Sequence, residues 1–321
     1  MADADGMVSG AYVVLKPKPT IHSPFAIDLF NRARSIYDFN AYSYGLTSDR
    51  LRLYYQDFAR IPFHIPTLPE QTKIAGFLSA VDGKIQQLTR KKALLEQYKK
   101  GVMQQLFTQE IRFTRADGTP SRGASATKGK AFPDWEERRL GEICTDISYG
   151  MNAAAVEYDG ENKYLRITDI DESSHEFLQT GLTSPGNVLE DKYVLREGDL
   201  LFARTGASVG KSYLYKKKDG KVYFAGFLIR FHVKEGVPEF IYAQTLTTEY
   251  GRWVTENSMR SGQPGLNAEE YKSFTIHFPC LEEQQRIAGF LSALDGRVAA
   301  VGQQLERAVQ WKRGLLQQMF V

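Results

Sequence analysis

The chain contains one long stretch twice. LPEQTKIAGFLSAVDGKIQQL begins at Leu68 and returns as LEEQQRIAGFLSALDGRVAAV from Leu281, an offset of 213 residues (281 − 68). The register holds without a gap from Pro66/Pro279 to Phe107/Phe320. A repeat of this period is a whole module and not the unit of a solenoid, so the chain has to fold as two copies of one design. Each copy carries the marks of one long helix. Proline sits near its start (Pro69, and Pro279 just upstream), and Glu70 or Glu282 lies in the first turn. Apolar residues then step by four and three. The first seam runs Ile74, Leu78, Val81, Ile85, Leu88, Lys92, Leu95, Lys99, Val102 and Leu106. The second runs Ile287, Leu291, Leu294, Val298, Val301, Leu305, Ala308, Lys312, Leu315 and Met319. Both are heptad patterns with a polar break at Lys99 or Lys312. At ~1.5 Å per residue each helix is roughly 55 Å long, more than one small domain covers. The two seams are therefore expected to bury each other, within one chain or between two. Gly76, Gly83 and Gly101 recur at Gly289, Gly296 and Gly314. Interior glycine costs about 1 kcal/mol against alanine, so the recurrence points to close helix approach.

A chain of 321 residues is long enough for two domains with real cores. No apolar run approaches ~20 residues, so no membrane span is expected. The start, MADADGMVSG, has no basic stretch followed by an apolar one and so no signal peptide. Cys144 and Cys280 match no metal or redox spacing and fit a reducing cytoplasm as inert thiols. A net charge of +3 permits nucleic-acid binding through local patches without arguing for it.

Taken in order, residues 1–65 read as the tail of a domain: a strand from Gly10 (GAYVVLKPK), a helix from Ser23 to about Tyr37, then a short apolar segment into proline. The second copy has the same layout, AGFLIRFHVK from Ala225, a helix near Glu239–Trp253, then TIHFP, with Gly10 matching Gly226. Residues 66–110 and 280–321 are the two helices. Residues 111–131 form an exposed linker, its stretch from Thr114 to Lys130 rich in Gly, Ser, Thr and basic residues. Residues 132–279 make a complete module, with Trp135 and Leu140 as core anchors and short strands (KYLRITDI, KYVLREGDLLFART, KSYLYKK, KVYFAGFLIRFHV) broken by turn residues. Its first ninety or so residues have no counterpart in 1–65. The predicted fold class is α+β: a mainly β module plus two long helices, with an internal pseudo-repeat.

GASVGKS, Gly206–Ser212, invites a phosphate-loop reading and fails it. Three residues stand where the motif needs four, and strand–turn–strand replaces strand–loop–helix. A tight hairpin presenting Arg204, Thr205, Ser208 and Lys211 fits better, with chemistry suited to nucleic-acid phosphates. Lys216, Lys217, Lys218 and Lys221 form a basic tip that is either a solvated turn or, beside Arg204 and Lys211, a DNA-backbone contact. Arg260, Ser261 and Gln263 lie on a Gly/Pro-rich loop, and arginine and glutamine can read guanine and adenine edges. Tyr149, Gly150, Met151 and Asn152 form a similar loop, and Arg166 and Thr168 are placed on the same side. The five histidines show no ligand spacing, and Asp169, Asp171 and Glu172 suit a solvated turn better than a metal site. No catalytic constellation and no metal site is found.

YLRITDI, GDLLFARTGASVGKSYLY, the Gly-Gln-Pro-Gly-Leu-Asn loop and the FP-x-LEEQ-x-RIAGFLSALD start of the second helix together resemble the specificity subunit of Type I restriction–modification enzymes. The resemblance implies two target-recognition domains alternating with two long helices that pair as an antiparallel coiled coil. Each recognition domain would read one half of a bipartite site in double-stranded DNA. It implies a non-catalytic subunit that docks modification (methyltransferase) subunits and, in the full complex, restriction subunits. S-adenosylmethionine, ATP and Mg would then sit on those partners, with no cofactor in this chain. Residues 70–107 and 282–320 match the family's helices, 132–279 a complete recognition domain, and 1–65 only the last part of one. A homodimer or a complementing fragment would supply a second reader. A non-reading assembly or decoy protein that binds modification subunits alone is the other reading open at this point, and an enzyme resting on GASVGKS is a third.

Overall fold

A computed structural model describes residues 6–9, 12–45, 47, 51–114, 121–122, 132–259 and 262–320. The chain divides into two units: unit 1, Met1–Glu96 with Gly296–Val321, and unit 2, Gln97–Asp295. Among the described residues no helix is long and apolar enough to cross a membrane.

Unit 1 opens with α1 (Ser23–Asn31), α2 (Ala33–Ala41) and α3 (Tyr55–Phe58). The single helix expected over Ser23–Tyr37 is two, because Arg32 is extended (φ −69°, ψ 151°). The Ser35 hydroxyl donates to the Leu29 carbonyl (2.6 Å) and accepts from Arg32 Nε (3.0 Å), which satisfies the broken ends locally. Phe30, Phe39, Phe58 and Phe63 form one aromatic group. Next comes α4 (Leu68–Phe107), whose first part lies in this unit.

The C-terminal helix covers Leu281–Gln318. Within unit 1, Ile74, Ala75 and Leu78 of α4 pack with Leu315, Leu316, Met319 and Phe320, while Asp82 accepts from Lys312 Nζ at 2.6 Å. Within unit 2, Val102 and Leu106 share a core with Ile287 and Leu291, and Lys99 pairs with Asp295. Early residues of one helix meet late residues of the other, so the pair is antiparallel. The two ion pairs are repeat equivalents of each other. The polar breaks in both seams thus have a structural reason: each lysine faces the other copy's aspartate. Along the seams Val81, Leu88, Leu294 and Val301 are buried, and Ile85, Leu95, Val298 and Leu305 are half-buried.

The recurring glycines do not mark close helix approach. A Cβ built on Gly76, Gly83, Gly101, Gly289, Gly296 or Gly314 would meet no atom within 4 Å. They cost helix propensity and gain no packing in this chain. Gly76→Ala and Gly289→Ala are each expected to raise stability by about 0.5–1 kcal/mol, read as a higher thermal midpoint. A lower midpoint would show a close contact after all.

In unit 2, β1 (Ile111–Arg112) pairs antiparallel with β2 (Ser121–Arg122). This corrects the linker boundary. Ile111 and Phe113 are core residues, with the Phe113 ring 5.7 Å from Phe290, because Arg112 is drawn to a buried carboxylate, Glu283. Residues 115–120 and 123–131 of the expected linker lie outside the described residues. Then follow β3 (Glu136–Arg139), α5 (Leu140–Ile143), β4 (Cys144–Tyr149), β5 (Ala155–Glu157), β6 (Lys163–Leu165), β7 (Thr183–Pro185), β8 (Asp199–Ala203), β9 (Ser212–Leu214), β10 (Val222–Phe224) and β11 (Leu228–Val233). After them come α6 (Pro238–Gln244), α7 (Thr248–Ser258), α8 (Ala268–Lys272), β12 (Thr275–Phe278) and α9, the C-terminal helix named above. The helix expected near Glu239–Trp253 is again two. Thr247 caps α7 by accepting from the Tyr250 amide at 3.2 Å.

The central sheet has the order β4–β11–β8–β9, all antiparallel. β8 is apolar throughout after Asp199, and its alternation splits two cores. Leu200 and Phe202 join Ile229, Phe231, Tyr250 and Tyr271 on one side; Leu201 and Ala203 join Leu165, Tyr213 and Leu228 on the other. A strand buried on both faces reads as a continuous apolar run, as DLLFA does. Burial pushes the Cys144 thiol up to about 12, so it stays protonated.

The glutamine of each LPEQ/LEEQ signature is buried and clamps the chain to the helix start. Gln284 accepts from the Val237 amide (2.9 Å) and donates to the Pro279 carbonyl (2.8 Å). Gln71 does the same with the His22 amide (2.8 Å) and the Pro66 carbonyl (2.9 Å). The repeat is therefore one of hydrogen bonds as well as of letters, and it aligns α1 with α6.

Candidate nucleic-acid interface

One end of the β8–β11 pair gathers three loops. The Arg204 amide donates to the Phe227 carbonyl (3.0 Å), and the Leu266 amide to the Arg204 carbonyl (2.9 Å). The Gly206 amide donates to the Pro264 carbonyl (3.0 Å), and Thr205 bridges Gly265. Gly206 has φ +76°, and a Cβ there would lie 3.0 Å from Gln263 Nε2, so glycine lets the two loops close on each other. On the other side the Gly150 and Met151 amides donate to the Leu228 and Phe224 carbonyls. The Arg204 guanidinium lies over the Tyr149 ring, 4.9 Å from its centroid, and the Tyr149 hydroxyl accepts from the Ala268 amide at 3.2 Å.

Two buried tyrosines hold the turn after Arg204. Tyr271 donates to the Ala203 carbonyl (2.7 Å) and accepts from the Gly210 amide (3.1 Å), and Tyr250 donates to the Gly210 carbonyl (2.7 Å). Burial raises both phenols above their ordinary range, so they remain hydrogen-bond donors. At Gly210, φ is +86° and a Cβ would strike Val254 at 2.6 Å. The glycines of GASVGKS serve a strand–turn–strand hairpin.

The structure thus brings together Tyr149, Arg204, Thr205 and Gln263. Asn152 is exposed nearby, its carbonyl accepting from Asn187 at 3.1 Å, and Ser208 is half-buried in the hairpin turn. Arg260 lies outside the described residues. Lys211 departs from the expectation of an exposed cation. It is 8% exposed, and its ammonium donates to the Ile170 carbonyl (3.2 Å) and to Glu172. Arg166 is engaged twice by Asp169, both contacts at 2.8 Å, with Thr168 exposed beside them. The lysine tip is not beside Arg204. β9 runs antiparallel to β8, with Leu214 opposite Leu200, which carries Lys216–Lys218 to the Asp199 end. The five residues of β8 separate the two ends by about 16 Å. At that tip Lys216 and Lys218 share Glu176 (2.7 and 3.5 Å), which leaves Lys217 without a carboxylate among the described residues.

Phe227, 62% exposed, stands at the turn between β10 and β11 beside Arg204. Read as one strand, KVYFAGFLIRFHV hides that turn; Gly226 inside the run was the available signal. Among the described residues no group of three or more His, Cys, Asp or Glu could hold a metal ion.

The family model of the Type I restriction modification DNA specificity domain matches residues 2–97 and 133–309. The chain belongs to this family. It is 25% identical over 268 residues to the Type I restriction enzyme MjaVIII specificity subunit of Methanocaldococcus jannaschii, covering 81% of this chain and 61% of that one. It is 25% identical over 191 residues to the HindI specificity subunit of Haemophilus influenzae, covering 55% and 39%. The chain therefore spans less than two thirds of the length of these relatives. In fold it is similar to the Type I restriction-modification system S subunit from M. genitalium, with a TM-score of 0.56 at 15% identity over 94% of this chain and 73% of that one. A second chain, from work on complex assembly and conformational transition of the type I R-M system, gives a TM-score of 0.51 at 18% identity over 93% and 68%. The two family-matched segments leave out residues 98–132, which hold the undescribed linker residues.

Proposed function

We propose that this chain is a non-catalytic DNA-reading subunit of a Type I restriction–modification complex, in which unit 2 reads one half-site. The observation that carries the reading is Arg204. Its guanidinium has no carboxylate partner among the described residues and is held over Tyr149, and the adjoining backbone carries Gln263 on the loop that closes against Gly206 and the exposed Phe227. Arginine and glutamine can read base edges bidentately, and an exposed aromatic can stack on or wedge between bases. Most other cations of the module are already paired, so affinity rests on few groups. The paired helices dock modification subunits; S-adenosylmethionine, ATP and Mg belong to the partners, and the complex works in the cytoplasm.

In the complex with its modification subunit, Arg204→Ala is expected to weaken binding to duplex carrying the methylated motif by about 1–3 kcal/mol, roughly 5- to 150-fold. Lys216→Ala is expected to change it little, because Lys216 is spent on Glu176. The reverse ranking in a binding titration would move the interface to the lysine tip. A second reading, an assembly protein that does not read DNA, is favoured by the open apolar surface of unit 1. A map of methylated adenines in cells making both subunits decides: a bipartite motif supports reading, and co-purification without any motif supports assembly alone.

A further inference from the structure

Unit 1 leaves open an apolar surface whose repeat equivalent in unit 2 is sealed. With Gly10 against Gly226, Tyr12–Lys18 repeats Leu228–Lys234. In unit 2 that segment is β11, paired with β4 on one edge and β8 on the other. Leu228, Ile229 and Phe231 are 0% exposed there, whereas Tyr12, Val13 and Leu15 are 72, 48 and 40% exposed. No strand pairing involves 12–18 among the described residues. Val13, Leu15, Phe30, Phe39, Leu53 and Phe58 line an open cavity of about 220 Å³. Five of their equivalents, Ile229, Phe231, Val254, Leu266 and Tyr271, lie in the main core of unit 2 together with Phe202. There the Phe202 ring stacks on Tyr271 at 4.6 Å and meets Phe231 at 5.4 Å. In unit 1 the equivalents of those two partners, Phe58 and Leu15, line the cavity.

We infer that Tyr12–Lys18 and the Phe30–Phe39–Phe58 floor form a docking groove for one occupant, an apolar β-strand equivalent to β8 of unit 2 (Asp199–Ala203). That strand would add to the unpaired edge of 12–18 and seat an aromatic side chain in the cavity. The mode is strand addition: main-chain hydrogen bonds give affinity and the apolar slot gives register. An unpaired apolar edge, here exposed from Tyr12 through Leu15, is otherwise an aggregation liability. The inference rests on the internal repeat alone, not on DNA reading.

The probe is a polypeptide of residues 132–225, which carries β4 and β8, co-expressed with the full chain. In a second arm the same segment is fused ahead of Met1 through a flexible linker. Hydrogen exchange is measured at the amides of residues 13–16. The groove predicts slowing of at least about tenfold in one or both arms, abolished by Val13→Asp with Leu15→Asp, while β11 amides are unchanged. Unchanged exchange in both arms overturns it, as does protection that survives the double substitution. Protection in the full chain alone, with a dimer in light scattering, would assign the groove to a second copy and also overturn it. None of these readouts depends on DNA, so failure of the groove and failure of the reading function are separable.

Discussion

Glu283→Ala is expected to destabilise the chain by about 3 kcal/mol, while Glu70→Ala, the same residue of the other copy, leaves stability unchanged. Glu283 is fully buried and accepts from Arg112 Nη2 (2.9 Å) and Nε (3.1 Å) and from the Trp135 indole (2.9 Å). Alanine would strand a half-buried guanidinium and an indole N–H inside the core of unit 2, and stranded donors cost their full desolvation. Arg112 keeps some solvent contact, so the loss falls at the low end for a broken buried pair. Glu70 is exposed and has no such partners. Denaturant unfolding of both variants checks this, with Glu283→Gln expected to lose less than alanine. Equal midpoints for Glu70→Ala and Glu283→Ala would remove the claim that Glu283 ties β1 and Trp135 to the start of α9.

Phe202→Ala is expected to cost about 3–5 kcal/mol. The ring is fully buried and touches Tyr271, Phe231 and Tyr250. Those neighbours are held by their own hydrogen bonds and by the sheet, so the site collapses poorly around a cavity. Domains of this kind have total stabilities of about 5–15 kcal/mol, so the loss is a large fraction. It also reaches the proposed DNA interface, because β8 leads directly into Arg204 and the Tyr250/Tyr271 bonds that fix the turn. Unfolding by denaturant and DNA binding are expected to fail together. A loss under about 1 kcal/mol would mean that the aromatic stack is not the keystone of the unit.

What was legible in the letters is the local part of the fold. The heptad seams, the helix starts at Leu68 and Leu281 and the strand–turn–strand reading of GASVGKS all follow from spacing and turn chemistry over short distances, whereas the closure of the Arg204 and Gln263 loops on each other came from the fold. The recurring glycines misled because propensity cost alone does not say what lies beside a residue. The lysine tip misled because a hairpin carries residues close in sequence to opposite ends of a strand pair. Arg166 and Lys211 looked like free cations; Asp169 and Glu172 claim them, and only the fold shows how those carboxylates are placed.

The duplication by itself determined two helices with matching apolar seams and a module repeated only in part, because periodicity acts through residues a few positions apart; the antiparallel pairing and its reciprocal Lys–Asp contacts came from the tertiary structure. The tertiary structure alone decided which cations remain free, that Phe227 stands exposed, and that Glu283 is buried while its repeat twin Glu70 is not. Arg112 and Trp135 are more than a hundred positions from Glu283, and no local pattern records what such distant neighbours neutralise or cover.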